Sequence, residues 1–442
     1  MKFFRVSYKI LLVPSLSVTF NFFDRIEKDY MKSSKKKPSG TAVRKYNHHR
    51  LDIPYLIFRL LILGKVKFKY KSNVETVEHP SIVLCNHGAF IDFAYSGTLL
   101  KKNSPNFVVA RLYFYQKLTN KILRSVGCFP KSMFANDLDS AKNCLRVIKN
   151  GGVLAMMPEA RLSTVGKFED IQESTFSFLK KMGVHVYTIK ICGDYLAKPK
   201  WGKGLRRGAL VEATLDLLFT PEQLAEMEVA EIKEKTEAAL YYDEFAWLAE
   251  HPELRFRSRR MAEGLENVLT LCPECHSHCS FTTKGSKMTC EHCGLVVEID
   301  DRYAFKAPAP FENFAVWYEW QIAQLRERFK SEEDFKLTAN VELRHASRDG
   351  KHLLDLAGEG ECMLSREGLT YIGTDFGEQI EKHFAAGEIY RLLFGAGEDF
   401  EIYDGKEIYY FTPEDKRSCV DWYILSGILY EERTKEKQNE IA

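Results

Sequence analysis

The 442-residue sequence lacks any run of roughly eighteen to twenty uninterrupted apolar residues, the length that a helix needs to span a bilayer. The apolar stretch Ile10–Phe20 is short and contains Pro14, and no convincing small-residue cleavage site follows it, which argues against a secretory signal peptide. Internal repeats are also missing. These absences exclude a protein built on spanning helices and a repeat architecture. The length instead predicts about two to four domains of ordinary soluble composition.

Net charge is nearly absent, but the charges are unevenly distributed. The formal net charge is +2 at pH 7. Residues 1–71 contain seventeen Lys and Arg against four Asp and Glu, and the remainder contains 46 against 57. A basic front and an acidic rear predict that one face of the molecule meets an anionic surface. Residues 32–40 have the composition of a mobile basic linker, and Met31 before them leaves open whether residues 1–30 belong to the native protein.

Two segments combine apolar and cationic side chains. Residues 55–70 suit a helix or hairpin among lipid headgroups, where each basic residue contributes about 1 kcal/mol near anionic lipid, and the alternative is a packed helix with a solvated basic edge. Residues 197–207 place Trp201 among five cations, which predicts a second membrane contact or a solvated loop. We therefore interpret residues 1–70 as a membrane-associating segment, and expect a peripheral protein on the cytoplasmic face of a membrane with anionic lipid.

The first indication of chemistry is a histidine with an aspartate five positions later. An apolar strand at residues 81–85 leads into His87, and the pattern predicts a helix beginning at about Phe90. Asp92, in the first helical turn, can then bind one ring nitrogen and leave the other free to accept a proton. Such a pair alone arises by chance in about half of chains with this composition, so it needs support from its context.

Two more strand ends carry polar side chains. Residues 151–163 are an apolar strand that stops at a Pro-Glu turn bearing Arg161, and residues 125–131 are a short strand that ends at Lys131. In α/β proteins, ligands bind where the carboxyl ends of the strands meet. We therefore expect these strand ends to converge with His87 at one edge of a sheet.

With these motifs, the segment from about 75 to 220 resembles the glycerolipid acyltransferases, specifically the lysophosphatidate acyltransferase family. The family's Asn-His-x4-Asp motif matches residues 86–92. Its second block, a strand that ends in arginine, matches residues 127–131 with Lys131 in the arginine position. Its fourth block, a Val-rich strand, matches residues 183–187 without the usual proline.

The family's third block, Phe-Pro-Glu-Gly-Thr-Arg-Ser, is the most altered. The matching positions are Met157, Pro158, Glu159 and Ser163. Ala160 replaces the glycine, Leu162 occupies the usual arginine position, and Arg161 lies one place early. These departures concern how a phosphate is held more than how acyl transfer proceeds.

The resemblance implies transfer of a fatty acyl group from acyl-CoA or acyl-ACP (acyl carrier protein) to the free hydroxyl of 1-acylglycerol-3-phosphate, giving phosphatidate. His87, oriented by Asp92, would be the general base, and such a base contributes about 10² to 10⁴ in rate. The lysophospholipid's phosphate requires cations, and the candidates are Arg111, Lys131 and Arg161.

Other roles and alternatives stay open at this point. Glu159 is expected to orient a cation, to contact glycerol or to cap the following segment. Gly88 and its neighbours are expected to donate backbone N–H groups to the oxyanion. Without the resemblance, His87 would be a structural histidine, and Lys131 and Arg161 would be surface cations. The acceptor could also be glycerol-3-phosphate or another lysolipid, and the rival class is a non-catalytic lipid-binding scaffold.

Four cysteines form the second strong motif. Two Cys-x2-Cys pairs separated by fourteen residues predict a closed, structural zinc ribbon, formed by Cys272, Cys275, Cys290 and Cys293. Cys279 and the histidines at 276, 278 and 292 lie close in sequence, but the paired spacing favours the four knuckle cysteines. Because the surroundings of the ribbon are not basic, we expect no nucleic-acid partner. The six cysteines elsewhere are single, which is typical of free thiols in a reducing, cytoplasmic location.

The fold class expected from these patterns is α/β, a mixed sheet flanked by helices, followed by the zinc ribbon and a small β-rich C-terminal domain. An aromatic helix at 311–329, a hairpin at 361–373, short strands at 389–394, 400–403 and 407–411, and a closing helix with Trp422 suggest a sheet similar to pleckstrin-homology domains. The expected division is a membrane-associating segment 1–70, an acyltransferase domain 71–219, a helical connector 220–269, a ribbon 270–300 and a β-rich domain 301–442.

Overall fold

A computed structural model describes residues 56–60, 62–307 and 309–441, with side chains as far as residue 436. The expectations for Ile10–Phe20, the basic linker and most of the N-terminal segment lie outside these residues. The described part contains three sheets, one of seven strands, one of three and another of seven. This order of a mixed α/β sheet, a small sheet and a β-rich C-terminal region confirms the predicted fold class.

The first sheet is mixed and places the polar strand ends at one edge. Its order is β1-β7-β6-β2-β5-β3-β4. All neighbouring pairs are parallel except β6 and β7, which are antiparallel. The strands are β1 (Val66–Ser72), β2 (Ser81–Cys85), β3 (Asn106–Ala110), β4 (Phe129–Lys131), β5 (Val153–Met156), β6 (His185–Cys192) and β7 (Ala209–Phe219).

The expectation of one helix or a hairpin over residues 55–70 was wrong for the residues of this segment that the structure describes. Residues 56–60 are helical, and the chain then turns into β1 at Val66. β1 stands at one edge of the sheet and pairs in parallel with β7, which satisfies its backbone hydrogen bonds on that side. Within the described residues, no helix is both long and apolar enough to cross a bilayer.

Helices cover the faces of this sheet. They are α1 (Asp92–Leu99), α2 (Lys117–Ser125), α3 (Leu138–Lys149), α4 (Glu173–Met182), α5 (Asp194–Ala197), α6 (Pro221–Glu226), α7 (Val229–Leu240) and α8 (Glu244–Ala249). One core cluster joins Val147, Phe176 and Ile232 of three helices to Ile82 and Leu154 of the sheet. The helices after residue 220 therefore pack on the same sheet rather than connecting separate bodies.

The small sheet holds the paired cysteines. Its order is β10-β9-β8, and both neighbouring pairs are antiparallel. The strands are β8 (Phe281–Lys284), β9 (Lys287–Cys290) and β10 (Val296–Glu298). Phe281 and Met288 are completely buried and belong to the main hydrophobic core, so the small sheet packs on the rest of the chain.

The C-terminal region is an antiparallel sheet bordered by two helices. The helices are α9 (Phe314–Ser331) and α10 (Cys419–Ile441). The sheet order is β14-β13-β12-β11-β17-β16-β15, and it ends in α10, on which Trp422 is completely buried. The strands are β11 (Leu337–Ala346), β12 (Leu354–Ser365), β13 (Gly368–Asp375), β14 (Glu378–Ala385), β15 (Leu393–Gly395), β16 (Asp399–Asp404) and β17 (Glu407–Pro413). The similarity to pleckstrin-homology domains stays a prediction.

One hydrophobic core extends through all three sheets. The same cluster of buried side chains contains Ile189 of the first sheet, Phe281 of the second and Phe411 of the third. It begins at Ile62 and ends at Leu429. The predicted domain boundaries stay predictions, but the parts they separate share this core.

Candidate functional site

The site begins where two neighbouring parallel strands end. β2 pairs with β5 in parallel, so the residues that follow them leave the sheet at the same edge. His87 comes after β2, and Glu159 comes after β5. The backbone N–H of His87 donates to Glu159 Oε1 at 2.7 Å, and that of Ser163 donates to the carbonyl of His87 at 3.0 Å. The two loops are therefore fixed to each other.

His87 and Asp92 are in direct contact. Nδ1 of His87 lies 3.1 Å from Asp92 Oδ2, and one fifth of the His87 side chain is exposed. Asp92 is completely buried, and its Oδ2 also accepts the N–H of Ala89 at 2.9 Å. With Nδ1 turned to the carboxylate, Nε2 is the nitrogen left for a ligand. Since the Ala89 N–H binds Asp92, it is not available to an oxyanion.

Burial shifts the pKa values of this pair in opposite directions. Burial, together with the positive charge of Lys200, lowers the pKa of His87 to about 3. It raises the pKa of Asp92 to about 7, although hydrogen bonds from Asp194 and from the Ala89 N–H oppose that rise. The imidazole is therefore neutral at pH 7, which is the form that accepts a proton.

The other residues of the Asn-His-x4-Asp motif fix the loop. Asn86 is completely buried, and its amide exchanges two hydrogen bonds with the backbone of Ile191, at 2.8 and 2.7 Å. A Cβ at Gly88 would lie 2.7 Å from Asp194 Oδ2, so only glycine fits without a shift. The imidazole of His87 is therefore placed by its two sequence neighbours, because Asn86 binds β6 and Gly88 packs against Asp194.

A buried group of acids lies behind the pair. Asp194 and Glu244 expose 1% of their surface or less, and Glu244 accepts the N–H of Gly193 with both oxygens, at 2.8 Å. Burial raises the pKa of both carboxyls well above the usual range, with added repulsion from Asp92 on Asp194 and from Asp194 on Glu244. Neither residue stood out in the sequence, because each is a single acid far from the motifs.

Glu159 is a buried clamp. Its Oε1 binds His87 as described, and its Oε2 accepts the N–H of Glu169 at 2.9 Å. Burial raises the pKa of Glu159 to about 8. Because the side chain is completely buried and both oxygens are engaged, a contact with glycerol would require one of these bonds to break. Neither bond caps the following segment.

Arg161 is also buried and is surrounded by acids. Its guanidinium donates to the Glu159 carbonyl at 3.3 Å, to Glu169 Oε2 at 3.2 Å and to Asp170 Oδ1. Only 1% of its side chain is exposed. An anion at Arg161 would have to compete with these two carboxylates.

The structure places Arg111 and Lys131 farther along the edge. Their strands, β3 and β4, lie two and three positions from β2, which corresponds to about 10 and 14 Å at the usual strand spacing. Arg111 donates to Asp137 Oδ2 at 2.5 Å and to Ser132 Oγ at 2.8 Å. Burial lowers the pKa of Lys131, and Asp137 opposes that shift. These two cations therefore form a group with Asp137, away from His87.

The cation whose charge acts on His87 is Lys200, which sequence reasoning did not select. Its Nζ lies 3.5 Å from the centre of the Phe394 ring and 5.9 Å from that of Tyr423. Burial lowers its pKa to about 7. Within the described part of the chain, its ammonium has no carboxylate at ion-pair distance. The only sequence signal was the cluster of cations at 197–207.

The interpretation of residues 197–207 as a membrane contact or a solvated loop was wrong. Trp201 is only 4% exposed, and its Nε1 donates to the hydroxyl of Tyr195 at 3.0 Å. Arg206 is completely buried and donates to the Tyr303 hydroxyl at 3.1 Å. Trp201 and Arg206 pack into the interior because buried hydroxyl and carbonyl groups satisfy their donors, whereas Lys203 and Arg207 are exposed.

C-terminal residues also reach the site. The hydroxyl of Tyr423 on α10 donates to Glu169 Oε2 at 2.8 Å, and that of Tyr390 donates to Asp170 Oδ2 at 2.6 Å. Arg391 lies 3.9 Å from Glu169. Glu169 and Asp170 thus accept hydrogen bonds both from Arg161 and from tyrosines of the C-terminal region.

The four predicted ribbon cysteines form one cluster. Their sulfur atoms all lie within 4.8 Å of one another, with Sγ of Cys272 and Cys293 3.7 Å apart and Sγ of Cys275 and Cys290 3.8 Å apart. The hydroxyls of Ser277 and Ser280 lie at 3.5 and 3.2 Å from Cys290 Sγ. Four converging sulfurs are the donor set of a structural zinc site.

Comparisons with known proteins show that the chain is similar to acyltransferases. A family model described as Acyltransferase matches residues 65–192. Two chloroplastic 1-acyl-sn-glycerol-3-phosphate acyltransferases are similar to the chain, that of Arabidopsis thaliana at 25% identity over 168 residues and that of Brassica napus at 22% over 169 residues. Each alignment covers 36% of this chain and 47% or 48% of the relative. The chain thus spans about half the length of these curated relatives.

A solved structure is similar as well. It is the crystal structure of the 1-acyl-sn-glycerophosphate acyltransferase of Thermotoga maritima, with a TM-score of 0.40 and 16% sequence identity. The alignment covers 55% of this chain and 93% of that chain.

Proposed function

Since residues 65–192 form a domain of the acyltransferase family, we propose that this protein transfers a fatty acyl group from acyl-CoA or acyl-ACP to 1-acylglycerol-3-phosphate. The observation that carries the proposal is the contact of His87 with Asp92 at the carboxyl end of β2. The product would be phosphatidate, and the second product the free thiol of the donor.

In the proposed reaction, Nε2 of His87 removes the proton of the acceptor hydroxyl. The hydroxyl oxygen attacks the thioester carbonyl, and the resulting tetrahedral intermediate collapses with loss of the thiolate, which takes the proton from the imidazolium. Asp92 stabilises that imidazolium through Nδ1 and fixes the tautomer. Burial and Lys200 keep the resting imidazole neutral and ready to act as a base.

The phosphate of the acceptor requires a nearby cation, and we assign Lys200 to this role. Its ammonium is largely buried, stacks on Phe394, and is electrostatically coupled to His87. A buried cation without a paired carboxylate is unfavourable unless an anion joins it, and a bound phosphate would supply that anion and raise the Lys200 pKa. Arg161, Arg111 and Lys131 already bind acids or lie farther along the sheet edge.

Acyl-transfer assays with a His87→Ala variant test the mechanism. We expect turnover to fall by about 10² to 10⁴ because the base is removed. The control is His383→Ala, which removes an exposed histidine on β14 and should leave turnover unchanged. An acceptor panel of glycerol-3-phosphate, 1-acylglycerol-3-phosphate and lysophosphatidylglycerol, each with both donors, identifies the substrate. Unchanged turnover in His87→Ala would remove the mechanism, and no turnover with any acceptor would favour a scaffold.

We also infer that the protein works at a membrane surface, as a lipid acceptor requires. Phe90 and Phe93, close to His87 in the chain, are 53% and 52% exposed. Leu56, Leu60 and Leu63, which precede the lysine-rich edge strand β1, are 57%, 60% and 72% exposed. Exposed apolar groups beside cations suit an anionic lipid surface.

Sedimentation with anionic vesicles measures this association. Replacing Phe90 and Phe93 together by serine should reduce the bound fraction, because less apolar area enters the lipid. The control variant replaces Ile372, which is 54% exposed on β13 of the C-terminal sheet, by serine. Equal loss of binding in both variants, or none in either, would contradict the proposed surface.

The four-cysteine cluster fits a structural zinc ion, and we propose that Cys272, Cys275, Cys290 and Cys293 hold one. With four thiolate ligands, such a site has no open position for substrate, so its contribution is to folding.

A further inference from the structure

A second group of metal ligands lies beside the four-cysteine cluster and uses none of its residues. A ring nitrogen of His278, Sγ of Cys279 and a carboxylate oxygen of Asp421 all lie within 4.8 Å of one another. Cys279 is 8% exposed and Asp421 1% exposed, whereas the His278 side chain is 42% exposed. Two of these residues belong to the ribbon, and Asp421 lies in the first turn of α10.

The geometry within the group is that of ligands facing a common point. His278 Nε2 lies 2.9 Å from Asp421 Oδ2, but the two are not aligned as donor and acceptor, and Oδ2 is buried without a hydrogen bond. Two ligand atoms bound to one tetrahedral zinc ion at about 2.0 to 2.2 Å lie about 3.3 to 3.6 Å apart. The two atoms therefore reach ligand positions on a common ion if they move apart by about half an ångström.

The surroundings of Asp421 resemble the outer shell of a metal site. Its other oxygen, Oδ1, accepts the hydroxyl of Thr270 at 2.8 Å. The backbone N–H of Cys279 donates to the carbonyl of Thr270 at 2.7 Å, so one residue positions two of the three ligands. Hydrogen bonds that orient ligating carboxylates are typical of metal sites. The charge of a carboxylate as buried as Asp421 is costly unless a cation neutralises it.

We propose that His278, Cys279 and Asp421 bind a second zinc ion. Imidazole, thiolate and carboxylate are all zinc ligands, and the thiolate disfavours magnesium and calcium, which prefer oxygen. Three protein ligands leave a fourth position for water or another small ligand, in contrast to the closed four-cysteine cluster. The ion ties the ribbon to the start of α10.

This tie connects the ribbon to the candidate active site. Tyr423, two residues after Asp421, donates to Glu169, and Glu169 binds Arg161. A metal ion at Asp421 would fix the helical turn that presents Tyr423. The zinc proposal does not depend on acyl transfer and can be tested without an activity assay.

The test counts zinc in the purified full-length protein by mass spectrometry of the metal after removal of loosely bound ions. We expect two ions per chain in the wild type and one in His278→Ala and in Asp421→Asn. Asp404→Asn, which changes a turn-end carboxylate paired with Lys382, is the control and should keep both ions. His278→Ala is the more informative variant, because a half-exposed side chain is removed without disturbing the core.

Cobalt substitution distinguishes the two sites. The His278→Ala protein should retain the absorption of a four-thiolate site and lose the component that arises from a mixed nitrogen, oxygen and sulfur site. One zinc ion in the wild type, or two in a folded His278→Ala protein, would overturn the proposal and leave His278 and Asp421 as a simple ion pair. If Asp421→Asn fails to fold, as judged by circular dichroism, the zinc count of His278→Ala decides alone.

Discussion

The imidazole of His87 works as a base only while it is neutral, and its surroundings favour that state in two ways. Burial removes the water that would solvate an imidazolium, and the charge of Lys200 repels it. Both effects lower the pKa to about 3, well below the ordinary value of about 6.5. A base with this pKa stays neutral throughout the physiological range. Lys200 thus keeps the resting base neutral and, in our proposal, also binds the acceptor's phosphate.

Replacing Lys200 by methionine tests this arrangement. Without the positive charge the imidazolium is less disfavoured, so the pKa of His87 rises, and the acid limb of kcat/KM moves to higher pH. The loss of one charge-assisted contact of about 1.5 to 3 kcal/mol raises KM for the acceptor by roughly 10-fold to 150-fold. Steady-state kinetics from pH 2 to 9 measure both effects, because the acid limb of the wild type lies near the His87 pKa of about 3.

The same substitution also has a predicted effect on stability. The pKa of Lys200 is lower in the folded protein than its ordinary value of 10.5, so the charged form destabilises the fold. Methionine should therefore raise the melting temperature at pH 7, while activity falls. The control, Lys203→Met, removes a more exposed lysine near Glu263 and should change neither quantity. A lower melting temperature with an unchanged KM would contradict the role of Lys200.

At the scale of elements, the ribbon depends on its four cysteines more than on its strands. β8, β9 and β10 have only four, four and three residues, which is too little to form an independent core. Its buried residues, among them Phe281 and Met288, instead join the core of the whole chain. Loss of metal from the ribbon would therefore expose part of that core.

Removal of zinc from the four-cysteine cluster should lower the stability of the complete protein. A structural zinc ion contributes on the order of 10 kcal/mol to folding, so a strong chelator is expected to lower the melting temperature and broaden the transition. Differential scanning calorimetry of chelated and zinc-restored protein measures the change. Cys275→Ser should imitate the chelator, whereas Cys128→Ser, immediately before β4, should not. An identical melting curve before and after chelation would refute a structural metal here.

At the scale of the whole molecule, the three sheets share one hydrophobic core and are not separate domains with their own cores. One core runs from Ile62 to Leu429, and Tyr390 and Tyr423 reach across to the acids that hold Arg161. The C-terminal region therefore forms part of the wall behind the candidate active site. Phe394, which packs on Lys200, belongs to the same wall.

Residues 56–441 should accordingly unfold in a single cooperative transition. Calorimetry is expected to give one peak whose calorimetric and van't Hoff enthalpies agree. Tyr423→Phe removes a hydrogen bond to a carboxylate, worth about 1.5 to 3 kcal/mol, and should lower that single transition without splitting it. Tyr430→Phe, farther along the same helix, is the matched control. Two resolved peaks, one of them unaffected by Tyr423→Phe, would show that the parts fold separately.

Much of the fold and part of the site follow from local patterns. The apolar strands before His87 and Glu159 and the Cys-x2-Cys pairs each depend on residues close in sequence, so spacing alone was informative. The strands predicted at 400–403 and 407–411 lie within β16 and β17. The strand predicted at 389–394 was largely wrong, since β15 begins only at Leu393. There, Leu392 donates its N–H to the Ser426 hydroxyl at 3.0 Å instead of joining a strand.

The amino-acid sequence by itself determined the His-x4-Asp pair, the apolar strands that lead into His87 and Glu159, and the two Cys-x2-Cys pairs, because each of them depends on residues close in sequence. Only the tertiary structure decided which cation acts on His87, that Trp201 is buried, and that Asp421 joins Cys279. These relations connect residues more than a hundred positions apart, or depend on whether buried partners satisfy a polar side chain. Long-range contacts and the satisfaction of buried polar groups leave no periodic or spaced pattern in the sequence, because both arise from the packing of the complete chain.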